Sequence, residues 1–229
     1  MKKVPLFLLM IIMVMFFSGC SLLEFLFDSE VQEKVNTGDP ASCAELEDNK
    51  QQRNCYEKIA KNKEDMTICD EIEGANGKDG CKMEIVKKKG DSSLCTEMSQ
   101  ERTKDSCYLS FAYDSNDPKM CELITDGEEK SKCYDHMAEK LNDKKYCGQI
   151  SSGYLIAKCY TRVALTESDA SVCVSISNKI QKDECKNRVA EETGNILICD
   201  KLEDKGEKST CISNFAKKFN DPEMCEEIE

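Results

Sequence analysis

The cysteines of this chain are ruled at fixed intervals. Apart from Cys20 they stand at Cys43, Cys55, Cys69, Cys81, Cys95, Cys107, Cys121, Cys133, Cys147, Cys159, Cys173, Cys185, Cys199, Cys211 and Cys225, so that a shorter and a longer spacing, twelve and fourteen, alternate without a slip. The two together make one 26-residue period, carried without insertion through seven copies and a final half copy from Asp39 to Glu229. An ungapped period of this size means one supersecondary unit per copy, stacked on its neighbours as an elongated array.

Aligning the copies shows what each position is for. Four residues before the first cysteine of a copy stand Asp39, Asp65, Asp91, Asp117, Asp143, Asp169, Asn195 and Asp221. These are helix N-caps, whose side-chain oxygens accept from the unpaired N–H groups of a helix start. Pro40, Pro118 and Pro222 follow directly, where proline costs least. Apolar residues flank the cysteine at −1 (Ile68, Leu94, Val172) and +3 (Leu46, Ile72, Ile124), four apart and on one face of a helix of about eight residues. Turns such as EDNKQQ and TDGEEKS come next, then a longer helix holding the second cysteine. Four and five residues beyond that cysteine a bulky residue stands beside a small one, as in Ile59-Ala60 and Met137-Ala138, which fits close packing against the next copy. The expected fold is all-α: a right- or left-handed α-solenoid of 26-residue disulfide-stapled helical hairpins.

So few inward positions per copy make a thin core, and cross-links are the remedy. Two regular schemes exist. Pairing across the shorter spacing joins Cys43 to Cys55 and so on to Cys199 with Cys211, leaving Cys225 as a free or intermolecular thiol. Pairing across the longer one joins Cys55 to Cys69 and onward to Cys211 with Cys225, leaving Cys43. Within a hairpin both cysteines sit at similar height from the turn, whereas across the junction the helical arms differ by about 4–5 Å, so the shorter, 12-residue scheme is favoured. Each staple is worth roughly 2–3 kcal/mol in the chain-entropy account.

Residues 1–19 read as a signal peptide: a basic start, an apolar run from Val4 to Phe17, and small residues before Cys20. The ending Phe17-Ser18-Gly19-Cys20 resembles the lipobox of prokaryotic lipoproteins, with Phe17 in place of the usual Leu. The resemblance implies cleavage before Cys20, lipid on its sulfur, and a chain held on the extracytoplasmic side of the cell membrane. An uncleaved anchor is the alternative, since Leu22, Leu23, Phe25, Leu26 and Phe27 extend the apolar run. Residues 20–38 are then a lipid-anchored tether, with 28–38 a short helix or linker.

The formal charge is −12, and removing residues 1–19 with Lys2 and Lys3 leaves 30 basic against 44 acidic residues. That argues against nucleic acid as a partner. No two cysteines lie closer than the shorter spacing, against the CxxC-like pairs of zinc and iron–sulfur sites. His136 is the only histidine and its column is otherwise polar, so it reads as a surface residue. Calcium at the Asp column would need the glycine and distal glutamate of an EF-hand loop, which Asp114-Ser115-Asn116-Asp117 lacks. No motif of catalysis appears, so neither an enzyme, a metal nor a cofactor is expected. Tyr56, Tyr108, Tyr134 and Tyr160, each directly after a second cysteine, form either a partner-facing row or packing between hairpins.

In architecture alone, residues 39–229 are similar to the short helical-hairpin arrays of the Sel1 and tetratricopeptide type, without their motifs. The similarity implies a binding scaffold for a protein or peptide. A passive structural spacer of the cell envelope is the second expectation, and an extracytoplasmic metal or redox-buffering protein the third.

Overall fold

The computed structural model describes the backbone of residues 21–220 and the side chains of 29–220. All regular structure among them is helical. Every copy pairs one six- or five-residue segment with one helix of 15 residues. The chain divides into two compact units, residues 1–104 and 105–229. Each unit is built of disulfide-stapled helical hairpins stacked in solenoid fashion, the repeat architecture that the cysteine period predicts.

In the first unit, α1 (Ser21–Thr37) precedes a 3₁₀ segment (Pro40–Glu45) and α2 (Asn49–Lys63). A second 3₁₀ segment (Met66–Glu71) and α3 (Ala75–Lys89) follow, then a third segment (Ser92–Glu97). The boundary between units falls within α4 (Glu101–Ser115). The second unit continues with α5 (Pro118–Glu122), α6 (Gly127–Leu141), α7 (Gly153–Glu167), α8 (Lys179–Thr193) and α9 (Lys205–Phe219), with 3₁₀ segments at Lys144–Gln149, Ala170–Ser175 and Ile196–Lys201 before the last three.

The Asp column caps as the sequence predicts. Asp39, Asp65, Asp91, Asp117, Asp143 and Asp169, and Asn195 in the seventh copy, each accept from the backbone N–H two residues on. Asp221 lies outside the described residues. The segment that follows is shorter and tighter than the expected helix: it is 3₁₀ in every described copy except α5. At three residues per turn the cysteine and the apolar residue at +3 fall in line, so a single turn is enough to bury both. Leu46, Ile72, Met98, Ile124, Ile150, Ile176 and Leu202 are all buried there, and most take extended backbone that ends the segment.

Each of the long helices from α2 onward ends in the left-handed conformation, at Glu64, Gly90, Asn116, Asn142, Ser168, Gly194 and Asn220. The next residue is the capping Asp or Asn, and its own N–H closes the old helix: Asp65, Asp143, Asp169 and Asn195 donate to the carbonyls of Ala60, Ala138, Ala164 and Ala190. One dipeptide thus ends one helix and starts the next. The alanines are buried because their backbone sits at this junction.

The staples follow the shorter spacing. Cys43–Cys55, Cys69–Cys81, Cys121–Cys133, Cys147–Cys159, Cys173–Cys185 and Cys199–Cys211 have Cα atoms 5.6–5.8 Å apart. Cys95 and Cys107 are also disulfide-bonded. Cys20 and Cys225 lie outside the described residues.

The segment read as a short helix or linker at 28–38 is the end of α1, and it packs as a cap on the first hairpin. Val31 and Val35 are buried in one cluster with Cys43, Leu46 and Ile59. Lys34 pairs with Glu45. Burying the two valines contributes about 1.5–3 kcal/mol each.

Candidate functional site

A second column, in which Asp79, Asp105, Ser131 and Asp183 act as longer-range caps, lies two residues before the second cysteine and holds Arg53, Ala157 and Ser209 in the other copies. Its acids are buried. Asp79 is fully enclosed, accepting from the Ser99 N–H (2.8 Å), the Ser99 hydroxyl (2.9 Å) and the Gln100 N–H (3.0 Å). Asp105 takes the N–H groups of Thr125 and Asp126 and the Thr125 hydroxyl, all within 2.8–2.9 Å. Asp183 accepts from Glu203 and Asp204. Ser131 does the same more weakly, accepting from Ser151 N–H at 3.2 Å. Each acid therefore latches the turn of the following hairpin. Burial is the largest influence on the Asp79 carboxyl and pushes it up, but the hydrogen bonds from Ser99, Gln100 and Thr103 together outweigh it and hold it below the usual carboxylate range.

The tyrosines pack rather than face outward. Tyr56, Tyr108 and Tyr134 are buried, and Tyr160 is half-buried. Tyr134 stacks on Tyr146 of the next copy, with ring centres 6.4 Å apart. The Tyr160 hydroxyl lies against Gly148, 3.5 Å from where a Cβ would stand. Of the two readings of this row, packing between hairpins is the one the burial favours: the position after the second cysteine lies at the seam between consecutive short segments and is buried at Tyr56, Tyr108, Tyr134, Lys186 and Ile212 alike. Lysine fills the same column at Lys82 and Lys186 and donates to the carbonyls of Glu97 and Lys201. Burial raises the Tyr56 and Tyr134 hydroxyls above their ordinary pKa.

His136 is also not the plain surface residue expected. It is half-buried against Tyr113, ring centres 4.2 Å apart, and its Nε2 is enclosed without a hydrogen-bond partner. Among the described residues no group of three or more His, Cys, Asp or Glu side chains is placed to hold a metal ion. The capping acids are spent on backbone N–H groups, which accounts for the column in all seven described copies.

What remains open to a ligand is apolar surface on the second unit. Among the described residues, eight large apolar side chains are more than a third exposed, and all lie between Tyr113 and Phe219. Tyr154 (69%) and Ile180 (59%) hold one column in successive copies, at the starts of α7 and α8. Elsewhere that column holds Lys50, Asn76, Arg102, Glu128 and Gly206. Val174 and Leu197 are similarly bare on the short segments of the same region. A cavity of about 490 Å³ lies between two of those segments, with Asp169, Ser171, Lys186 and Lys201 in its wall. Sequence reasoning missed this surface because it sought aromatic residues repeated in every copy.

Compared with known proteins, the chain matches no family model, no curated protein and no solved structure.

Proposed function

We propose that the chain is a lipid-anchored, extracytoplasmic scaffold whose helical repeats bind a protein or peptide partner. The disulfides support the compartment, since cross-links in this number persist where thiols are not kept reduced. The signal-like start and the Phe17-Ser18-Gly19-Cys20 ending support the anchor. Partner binding is carried by one observation: Tyr154 and Ile180 stand in a solvent-facing column at adjacent copies where other copies hold Lys50, Asn76, Arg102 and Glu128, leaving two large apolar side chains bare that a passive spacer has no use for.

The test compares the immobilised oxidised chain with its Tyr154→Ser/Ile180→Ser variant in an extracytoplasmic extract. Covering both side chains is worth about 3 kcal/mol or more, so a partner retained by the parent is weakened at least about tenfold in the variant. Equal retention, or nothing above background on the parent, leaves the spacer reading in its place.

A further inference from the structure

The cavity between the Ala170–Ser175 and Ile196–Lys201 segments has a counterpart four copies earlier, between Met66–Glu71 and Ser92–Glu97, where the same columns enclose about 320 Å³. In the earlier one the seam lysine is neutralised, because Lys82 pairs with Asp70 at 2.9 Å. Four acids stand against two lysines in that wall. In the later one Val174 stands in the column of Asp70, and Lys201 in that of Glu97. Lys186, the counterpart of Lys82, is only 8% exposed. Its ammonium lies 3.5 Å from Asp183, a carboxylate already accepting from Glu203 and Asp204, and donates to the Lys201 carbonyl at 3.2 Å. Lys201 itself has no ion pair among the described residues. The one acid in this wall, Asp169, is spent on its cap, taking the Ser171 N–H at 2.8 Å and the Ser171 hydroxyl at 2.7 Å.

A nearly enclosed cation beside a second, unpaired one draws an anion, because their field is little screened there. The wall carries two lysines against one acid, and the whole chain stands at −12, so a single carboxylate is accepted where a phosphate dianion or a run of acids is repelled. Val174 and Ile198, one from each segment, put apolar contact on both walls around the charge. Val174 is 65% exposed, and its column elsewhere holds Ala44, Asp70, Thr96, Glu122, Gly148 and Asp200, so nothing in the repeat itself demands an apolar residue there. At about 490 Å³ the cavity lies within the ~300–1,000 Å³ of small-ligand sites. We propose that it receives one Asp or Glu side chain of a partner peptide, seated between apolar neighbours, with Lys186 and Lys201 as its cations and Val174 and Ile198 against those neighbours. The proposal rests on the peptide-binding reading and gives that partner its chemistry.

The purified, oxidised chain is titrated by fluorescence anisotropy with three labelled peptides: one with capped ends and a single glutamate between leucines, its glutamine counterpart, and an all-leucine peptide whose sole carboxylate is its chain end. Lys201→Glu and Val174→Asp restore the residues of the earlier cavity at two exposed positions and serve as the variants. The glutamate peptide is expected to bind at least about tenfold more tightly than the glutamine one, and each variant to lose about tenfold, with affinity falling as salt rises. Equal binding of those two peptides, variants that bind as the parent does, or no saturation by the glutamate peptide at ~1 mM overturns the proposal, and tighter binding of the chain-end peptide overturns its choice of a side chain. The extract experiment separates the two ideas. A partner retained from the extract without peptide binding defeats this inference alone, and peptide binding with no partner in the extract defeats the reading of Tyr154 and Ile180 alone.

Discussion

Asp79→Ala tests the latch between hairpins. The carboxylate is fully enclosed and accepts three hydrogen bonds of 2.8–3.0 Å from Ser99 and Gln100. A bond to a charged group is worth about 1.5–3 kcal/mol, and stranding its donor costs a further share. Ser99 is exposed, so water recovers part of the loss. The expected net cost is about 3 kcal/mol for Asp79→Ala and about half that for Asp79→Asn, which keeps one acceptor. A repeat array need not unfold in one step, so hydrogen exchange on the oxidised protein is the better readout than a single melt. A cost of this size speeds exchange of the Ser99 and Gln100 amides by about 100-fold, with the Asp105 latch scarcely changed. If those amides exchange at the parent rate, or the loss stays below about 0.5 kcal/mol, the range of an ordinary surface substitution, the carboxylate is not what joins the copies.

Ala157 occupies the latch column where the flanking copies carry the acceptors Ser131 and Asp183, so Ala157→Asp is expected to raise thermal stability by about 1 kcal/mol, and a lower melting temperature would contradict the column's assignment. Ser168 holds a left-handed backbone that costs a side chain about 1–2 kcal/mol, so Ser168→Gly should stabilise by up to about 1 kcal/mol in chemical denaturation, whereas Gly90→Ala, at the same place in its copy, should destabilise. The carboxyls of Asp65, Asp79, Asp91, Asp143 and Asp169 are all held below their ordinary values. For Asp65, Asp91 and Asp169 the leading cause is the hydrogen bond from the side chain of Thr67, Ser93 and Ser171, and for Asp143 that from Lys145. A depressed folded pKa adds stability that is present above the unfolded value near ~3.9 and lost as pH falls through the folded one. The melting temperature should therefore drop between pH 5 and pH 2, less so in Asp79→Asn, and a flat profile would refute the caps as ionic.

The parts legible in the sequence are those whose causes are local. Asp65 reaches Thr67 and Cys69 reaches Cys81 within one copy, so fixed offsets betray them. The latch is hidden because its acceptor and donors, Asp79 and Ser99 for example, belong to different copies, and because three acids in a column that also holds Arg53, Ser131 and Ala157 do not stand out among 44 acidic residues. The tyrosine row is ambiguous for a related reason: Lys82 and Lys186 share its column, and only the seam's geometry shows that both residue types reach across it. Spacing of four around each first cysteine suits an α-turn as well as a 3₁₀ turn capped by an extended residue, because the +3 side chain is buried in both, and six of the seven described copies take the 3₁₀ form.

Digestion of the unreduced protein with mapping of the cross-linked peptides tests the hairpin array most directly. Every bond is predicted to join the two cysteines of one copy, as in Cys69–Cys81 and Cys121–Cys133. Recovery of Cys55–Cys69 or Cys107–Cys121, or of cysteines that titrate freely in protein still fully helical, would contradict it.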